Sequence, residues 1–169
     1  MITNNLTLVT EGLMKTQKSM RTQRLNLTHE VIEDRQLVGF TANGVSKRIM
    51  SAGTTIKFPN ILFSYGLLNL STFKNTGIFT CEREGFYLLI GSVTAGSTSD
   101  AGFDFYKNNR QTTGHIYIGE SSTSTREYNS GTGSLLLELK IGDKVYIQTI
   151  QSDMNVYESL SLFTVIKIK

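Results

Sequence analysis

The side chains able to do chemistry are few and far apart. His29 and His115 are the only imidazoles and Cys81 the only thiol. A hydrolytic triad needs a nucleophile within reach of an oriented imidazole, and no Gly-x-Ser-x-Gly elbow occurs in the 169 residues to present one. His115 therefore reads as a structural or interface residue. Cys81 alternates with Phe79 in a β-type run, so it should point inward and act as a small hydrophobe. Burial raises a thiol pKa, which works against a reactive thiolate. A single cysteine makes no internal disulfide, and no Cys/His cluster offers zinc its ligands. Past residue 36 no helical pattern is expected, so no glycine-rich loop opens a helix to cradle phosphate. The chain reads as a non-enzyme, with no catalytic residue and no cofactor.

Binding chemistry is the next class. Seventeen basic and 14 acidic residues leave a surplus of +3 and a pI of about 9.0. Lys47 and Arg48 are adjacent, but the other basic residues read as scattered among acids, as in Glu82-Arg83-Glu84. Without a basic stripe or interleaved aromatics, nucleic acid is not an expected partner. Three N-glycosylation patterns occur, at Asn5, Asn26 and Asn69. Eleven Asn and 37 Ser plus Thr give about 2.4 such triplets by chance, so the three permit secretion without supporting it.

The elements that must position these residues follow from composition and spacing. With 21 Thr, 16 Ser, 15 Gly and only 18% charged residues, the chain leans to sheet and away from disorder. No apolar run is long enough for a membrane span. The first ten residues lack a basic n-region and a continuous apolar stretch, so no signal peptide is read there. Up to residue 36, Leu6, Leu13, Met20 and Leu27 recur every seven residues, with Val9, Thr16, Gln23 and Glu30 three positions after each. That spacing predicts a helix over 6–34 with a thin heptad seam, which gains stability by associating with copies of itself.

Past residue 36 the pattern is short β-type runs. Strands are expected at 37–41, 56–63, 77–81, 85–94, around Phe103 and Phe105, at 115–119, through Leu135, Leu137 and Leu139, through Val145 and Ile147, and at 160–168. The only proline, Pro59, marks the second run as an edge strand or a broken one. The run from Phe86 to Ile90 is continuously apolar and suits a strand buried on both faces. The last run alternates through Leu160, Leu162, Ile166 and Ile168. About ten short strands at regular spacing indicate an all-β antiparallel jelly-roll sandwich.

Several motifs in the right order then carry a resemblance. Phe73-Lys74-Asn75-Thr76-Gly77-Ile78-Phe79-Thr80-Cys81, followed by Gly85-Phe86-Tyr87, resembles the globular head of complement C1q and its relatives, which share the tumour-necrosis-factor fold. Phe105-Tyr106-Lys107-Asn108, the segment Ser134 to Leu139 with Gly142-Asp143-Lys144-Val145, and Leu162-Phe163-Thr164 are similar to later parts of the same pattern. The likeness covers about residues 37–169. It implies a ten-stranded jelly-roll head at 37–169, a short coiled-coil stalk at 1–36, and a homotrimer. Phe79, Cys81, Tyr87, Phe105 and Phe163 are the expected core and trimer-packing residues.

The resemblance departs at Val165 and Ile166, where the family usually has Gly and an aromatic. Some relatives bind calcium in the loop matching 120–133. This chain supplies only Glu120 and Glu127 there, against the six to eight oxygens calcium takes. The end loops 95–102, 119–133 and 151–159 are the expected recognition surface, with Glu120, Arg126, Glu127, Tyr128 and Asn129 as candidate ligand residues. The family implies a secreted, lectin-like, pattern-recognition role in innate immunity, binding carbohydrate or microbial and cell-surface ligands. A matrix trimer or a cytokine-like receptor ligand are the alternatives.

Overall fold

The computed structural model describes residues 2–34, 37–44, 49–96, 101–112, 114–119, 128–151 and 154–169, with helix residues 2–10 and 29–34 as backbone only. Two compact units result, Met1–Gln36 and Leu37–Lys169.

The first unit is one helix, α1 (Ile2–Asp34), 33 residues and about 50 Å long at 1.5 Å per residue. No proline interrupts it. Thr16, Thr22 and Thr28 donate their hydroxyls to the carbonyls of Gly12, Lys18 and Arg24, one turn back. Leu13, Met20 and Leu27 of the heptad seam are all exposed.

The second unit is an antiparallel sandwich. Its larger sheet runs from β2 (Ile49–Met50) through β11 (Met154–Val156), β5 (Gly85–Gly96), β12 (Leu162–Lys167) and β1 (Gly39–Asn43) to β3 (Asn60–Tyr65), with β9 (Asn129–Leu139) on the other side of β5. The smaller sheet runs through β4 (Phe79–Thr80), β10 (Lys144–Thr149), β6 (Ala101–Lys107) and β7 (Arg110–Gln111), with β8 (Ile116–Gly119) also on β6. Twelve strands thus stand among the described residues, three of them two-residue pieces. Pro59 stays outside the ladder. β3 starts at the next residue and lies at the sheet edge, as a residue with no N–H to donate requires.

Aromatic rings fill the space between the sheets. Phe40 packs on Phe73 with centroids 4.5 Å apart, and Phe163 meets Phe40, Phe58, Phe73 and Phe105. Gly91 makes this density possible, because a Cβ there would lie 2.6 Å from Ile147 Cδ1 and 3.2 Å from the rings of Phe103 and Phe105.

Two expectations need correction. A head without helices was expected, yet α2 (Ser71–Thr76) and a 3-10 turn (Glu158–Leu160) are present. Asn69 Oδ1 accepts the Ser71 N–H at the start of α2. Gly77, at φ 76°, ends the helix by donating its N–H to Phe73 O, and Phe73 anchors the turn in the core. The run from Phe86 to Ile90 is not buried on both faces. Tyr87 and Leu89 are in the core, while Phe86 is 45% exposed and Leu88 and Ile90 are partly so, because the sandwich covers only one side of the sheet. In the last strand Phe163 and Val165 point inward, and Leu160, Ile166 and Ile168 face out.

Candidate functional site

The strand register brings the ends of β5, β9 and β11 together at one end of the sandwich. Ala95 of β5 pairs with Asn129 of β9 on one side and Val156 of β11 on the other. Two half-buried rings sit over this junction, Tyr128 and Tyr157, 4.6 Å apart and tilted by 59°. Beneath them is a network of buried hydroxyls. Thr94 N–H donates to Ser161 Oγ at 3.1 Å, Ser161 Oγ donates to Tyr157 O at 3.0 Å, and Tyr157 N–H returns to Thr94 O at 2.7 Å. The Thr94 hydroxyl lies 2.7 Å from Ser130 Oγ and 3.2 Å from Leu160 O. Such a closed ring fixes the backbone that presents the two tyrosines. Next to it, Asn155 Oδ1 is the one buried side-chain oxygen or nitrogen without a partner among the described residues.

Of the five candidate ligand residues, Tyr128 and Asn129 lie at this apex. Glu120, Arg126 and Glu127 lie outside the described residues. Sequence reasoning did not single out Tyr157, Asn155, Thr94 or Ser161. The first two fall in a loop already flagged, but ring contact and an orphaned amide oxygen appear only once β11 is paired with β5. Among the described residues no three His, Cys, Asp or Glu side chains gather as a metal would need.

The other reactive side chains have local partners. His115 Nδ1 lies 2.9 and 3.1 Å from the two oxygens of Asp104. Asp104 is only 2% exposed and the imidazole 47%. Among the described residues no hydroxyl or thiol bonds that imidazole. Cys81 and Tyr87 both donate to Arg83 O, at 2.9 and 2.5 Å, and burial pushes both groups up from their ordinary pKa values. Phe79, Cys81, Tyr87, Phe105 and Phe163 are all buried in the core. Asn26 is exposed on α1, Asn5 lies on the part of α1 described as backbone only, and Asn69 is exposed with its side chain capping Ser71.

A second surface lies on the outer face of the larger sheet. The register aligns Leu136 with Leu88, Leu88 with Ile166, Ile166 with Gly39 and Gly39 with Tyr65. Leu136, Leu88, Ile166 and Tyr65 in that row are partly or fully exposed while Gly39 between them is buried, and Phe86 and Ile168 continue it. The next rows mix apolar side chains, Ile90, Phe63 and Leu162, with hydroxyls, Thr41 lying 3.0 Å from Thr164 and Ser92 2.9 Å from Thr132.

A clamp joins two turns at the far end of the smaller sheet. Asn108 and Asn109 both take positive φ in the β6–β7 hairpin. Asn108 donates to Asp143 Oδ1 at 2.7 Å and accepts from Lys144 N–H at 2.9 Å. Asp143 Oδ2 pairs with Lys107 Nζ at 2.8 Å and accepts the Lys140 N–H. Hydrogen bonds from Lys107, Lys140 and Asn108 hold the Asp143 carboxyl well below the usual carboxylate range.

Comparison with known proteins agrees with this architecture. No curated protein sequence matches the chain. Among solved structures, murine APRIL at pH 8.5 superposes with a TM-score of 0.60 at 16% identity, over 78% of this chain and 99% of that one. The globular domain of zebrafish complement 1qA gives 0.58 at 17% identity, over 78% and 97%. Eiger TNF from S. frugiperda gives 0.55 at 13%, over 80% and 94%. These likenesses show the jelly-roll fold shared by C1q and tumour-necrosis-factor heads. The C1q domain model matches residues 39–165, three quarters of the sequence, and on that match the chain belongs to the C1q domain family.

Proposed function

We propose that this protein is a multivalent, non-enzymatic recognition protein. Three jelly-roll heads associate through the apolar outer row of the larger sheet, and α1 extends the association as a coiled-coil stalk. C1q and tumour-necrosis-factor-like domains are typically non-enzymatic and extracellular, and this chain fits a recognition or ligand role of that kind. The observation that carries the reading is the exposed apolar row from Leu136 through Leu88 and Ile166 to Tyr65. Contiguous apolar surface of this kind marks an interaction site.

The apex supplies the ligand contact. The Tyr128 and Tyr157 rings can stack on the C–H face of a sugar. Each head binds weakly, and three heads on one stalk gain roughly 10²-fold in avidity. In a secreted protein, Asn26 and Asn69 are exposed acceptors for glycosylation.

A glycan array probed with the soluble protein tests this reading. Saturable binding to defined sugars, lost in Tyr157→Ala, supports it. Binding to cells that disappears when their surface proteins are digested, with no glycan bound, would replace it with the cytokine-like reading that the APRIL and Eiger likenesses favour.

A further inference from the structure

One stretch of α1 departs from the scatter of basic residues among acids read from the sequence. Between Glu11 and Glu30, α1 carries Lys15, Lys18, Arg21 and Arg24 and no carboxylate. Over the whole of α1 these four cations are balanced by Glu11, Glu30, Glu33 and Asp34, which all lie outside the stretch, so the helix is neutral in sum and positive along its middle. All four side chains are exposed.

The residues follow at intervals of three, which sets neighbours side by side along about 14 Å of helix. Lys18, Arg21 and Arg24 have no carboxylate three or four residues away, and the three like-charge neighbour pairs destabilise the helix. A helix that concentrates repulsion in this way gains from an external counter-charge. The row winds around the helix by about 60° per step. Lys15, Lys18 and Arg21 therefore lie away from the Leu13, Met20 and Leu27 seam, and Arg24 flanks it.

We infer that this row binds an acidic polysaccharide, a sulfated or uronate-bearing chain whose anionic groups pair in succession with the four cations. Arg and Lys suit sulfate and carboxylate oxygens as charge-assisted donors. A lipid surface fits less well. A helix lying on a membrane turns its apolar face inward, which would direct three of these four cations away from the headgroups. A nucleic-acid site fits less well because no aromatic residue stands between 11 and 28 to stack on a base. The stripe exists on a single helix, and the proposed trimer adds only avidity by placing three stripes around one stalk.

The test is titration of the full-length protein with a size-defined heparin oligosaccharide, alongside its desulfated form. Lys15→Gln, Lys18→Gln, Arg21→Gln and Arg24→Gln are combined in one variant, since glutamine keeps helix propensity. Circular dichroism confirms that the variant keeps its helix. The expected result is binding to the sulfated form that weakens with salt and falls about tenfold or more in the variant. Absence of binding, or equal binding by the variant, overturns the inference. So does binding to phosphatidylserine vesicles or duplex DNA without binding to the oligosaccharide. Sedimentation of the same samples separates the two proposals. A monomer that binds refutes the trimer alone, and a trimer that does not bind refutes the stripe alone.

Discussion

Replacing Asp143 by asparagine removes the charge at the centre of the clamp between the β6–β7 hairpin and the turn before β10. The wild-type carboxylate receives Lys107 Nζ at 2.8 Å, Asn108 Nδ2 at 2.7 Å and Lys140 N–H at 2.9 Å. The amide keeps one acceptor oxygen and turns an NH₂ towards donors. Hydrogen bonds to a charged group contribute about 1.5–3 kcal/mol, and partial exposure of the Lys107 pair puts the expected loss near the lower end, about 1.5–2 kcal/mol. For a chain of this size that lowers Tm by about 5 °C. The pH dependence fixes the cause. The folded carboxyl is depressed below its ordinary value of 3.8, so its stabilisation is present above that value and is lost as pH falls through the folded pKa. Thermal unfolding followed by circular dichroism should show a constant gap between wild type and Asp143→Asn from pH 7 to about 5. The gap should narrow below pH 4 as the unfolded wild-type chain takes up the proton that the folded carboxylate still resists. A gap that is absent, or that stays constant down to pH 2, would refute the charge-based reasoning.

Three further outcomes follow from the geometry. Gly91→Ala places a methyl against Ile147 and Phe103 and should destabilise the head by about 1–3 kcal/mol, read by urea unfolding; an unchanged midpoint contradicts the packing described. Leu88→Glu puts a charge in the outer apolar row between Leu136 and Ile166. It should abolish trimer formation while leaving the circular dichroism of the head intact, and a trimer that persists places the interface elsewhere. Cys81 should resist an aromatic disulfide reagent in the native protein and react at once in denaturant, because the thiol is buried, raised in pKa and bonded to Arg83 O; rapid native reaction would contradict its inward position.

The parts of the fold legible in the sequence were those written in short-range pattern. Pro59 located the edge of the larger sheet because one missing N–H excludes a central position. Lys107-Asn108 and Gly142-Asp143 stood within the motifs that carry the family resemblance, although their mutual clamp joins residues 35 and 36 positions apart and is visible only in space. The run from Phe86 to Ile90 misled because composition records that both faces of a strand are apolar, not which one its own chain covers. In the last strand, Leu160, Leu162, Ile166 and Ile168 and the core pair Phe163 and Val165 both satisfy a period of two, so alternation alone could not choose the inward set. Helix α2 is six residues long and ends at Gly77, too short to leave a periodic signal. At the apex, Tyr128 was recognised by its type, whereas Tyr157 joins it only through the pairing of β11 with β5.

Sedimentation equilibrium of the full chain at micromolar concentration addresses the association on which multivalent recognition depends. The account predicts a species of three times the 18.8 kDa chain mass. A single species at the mass of one chain would contradict it.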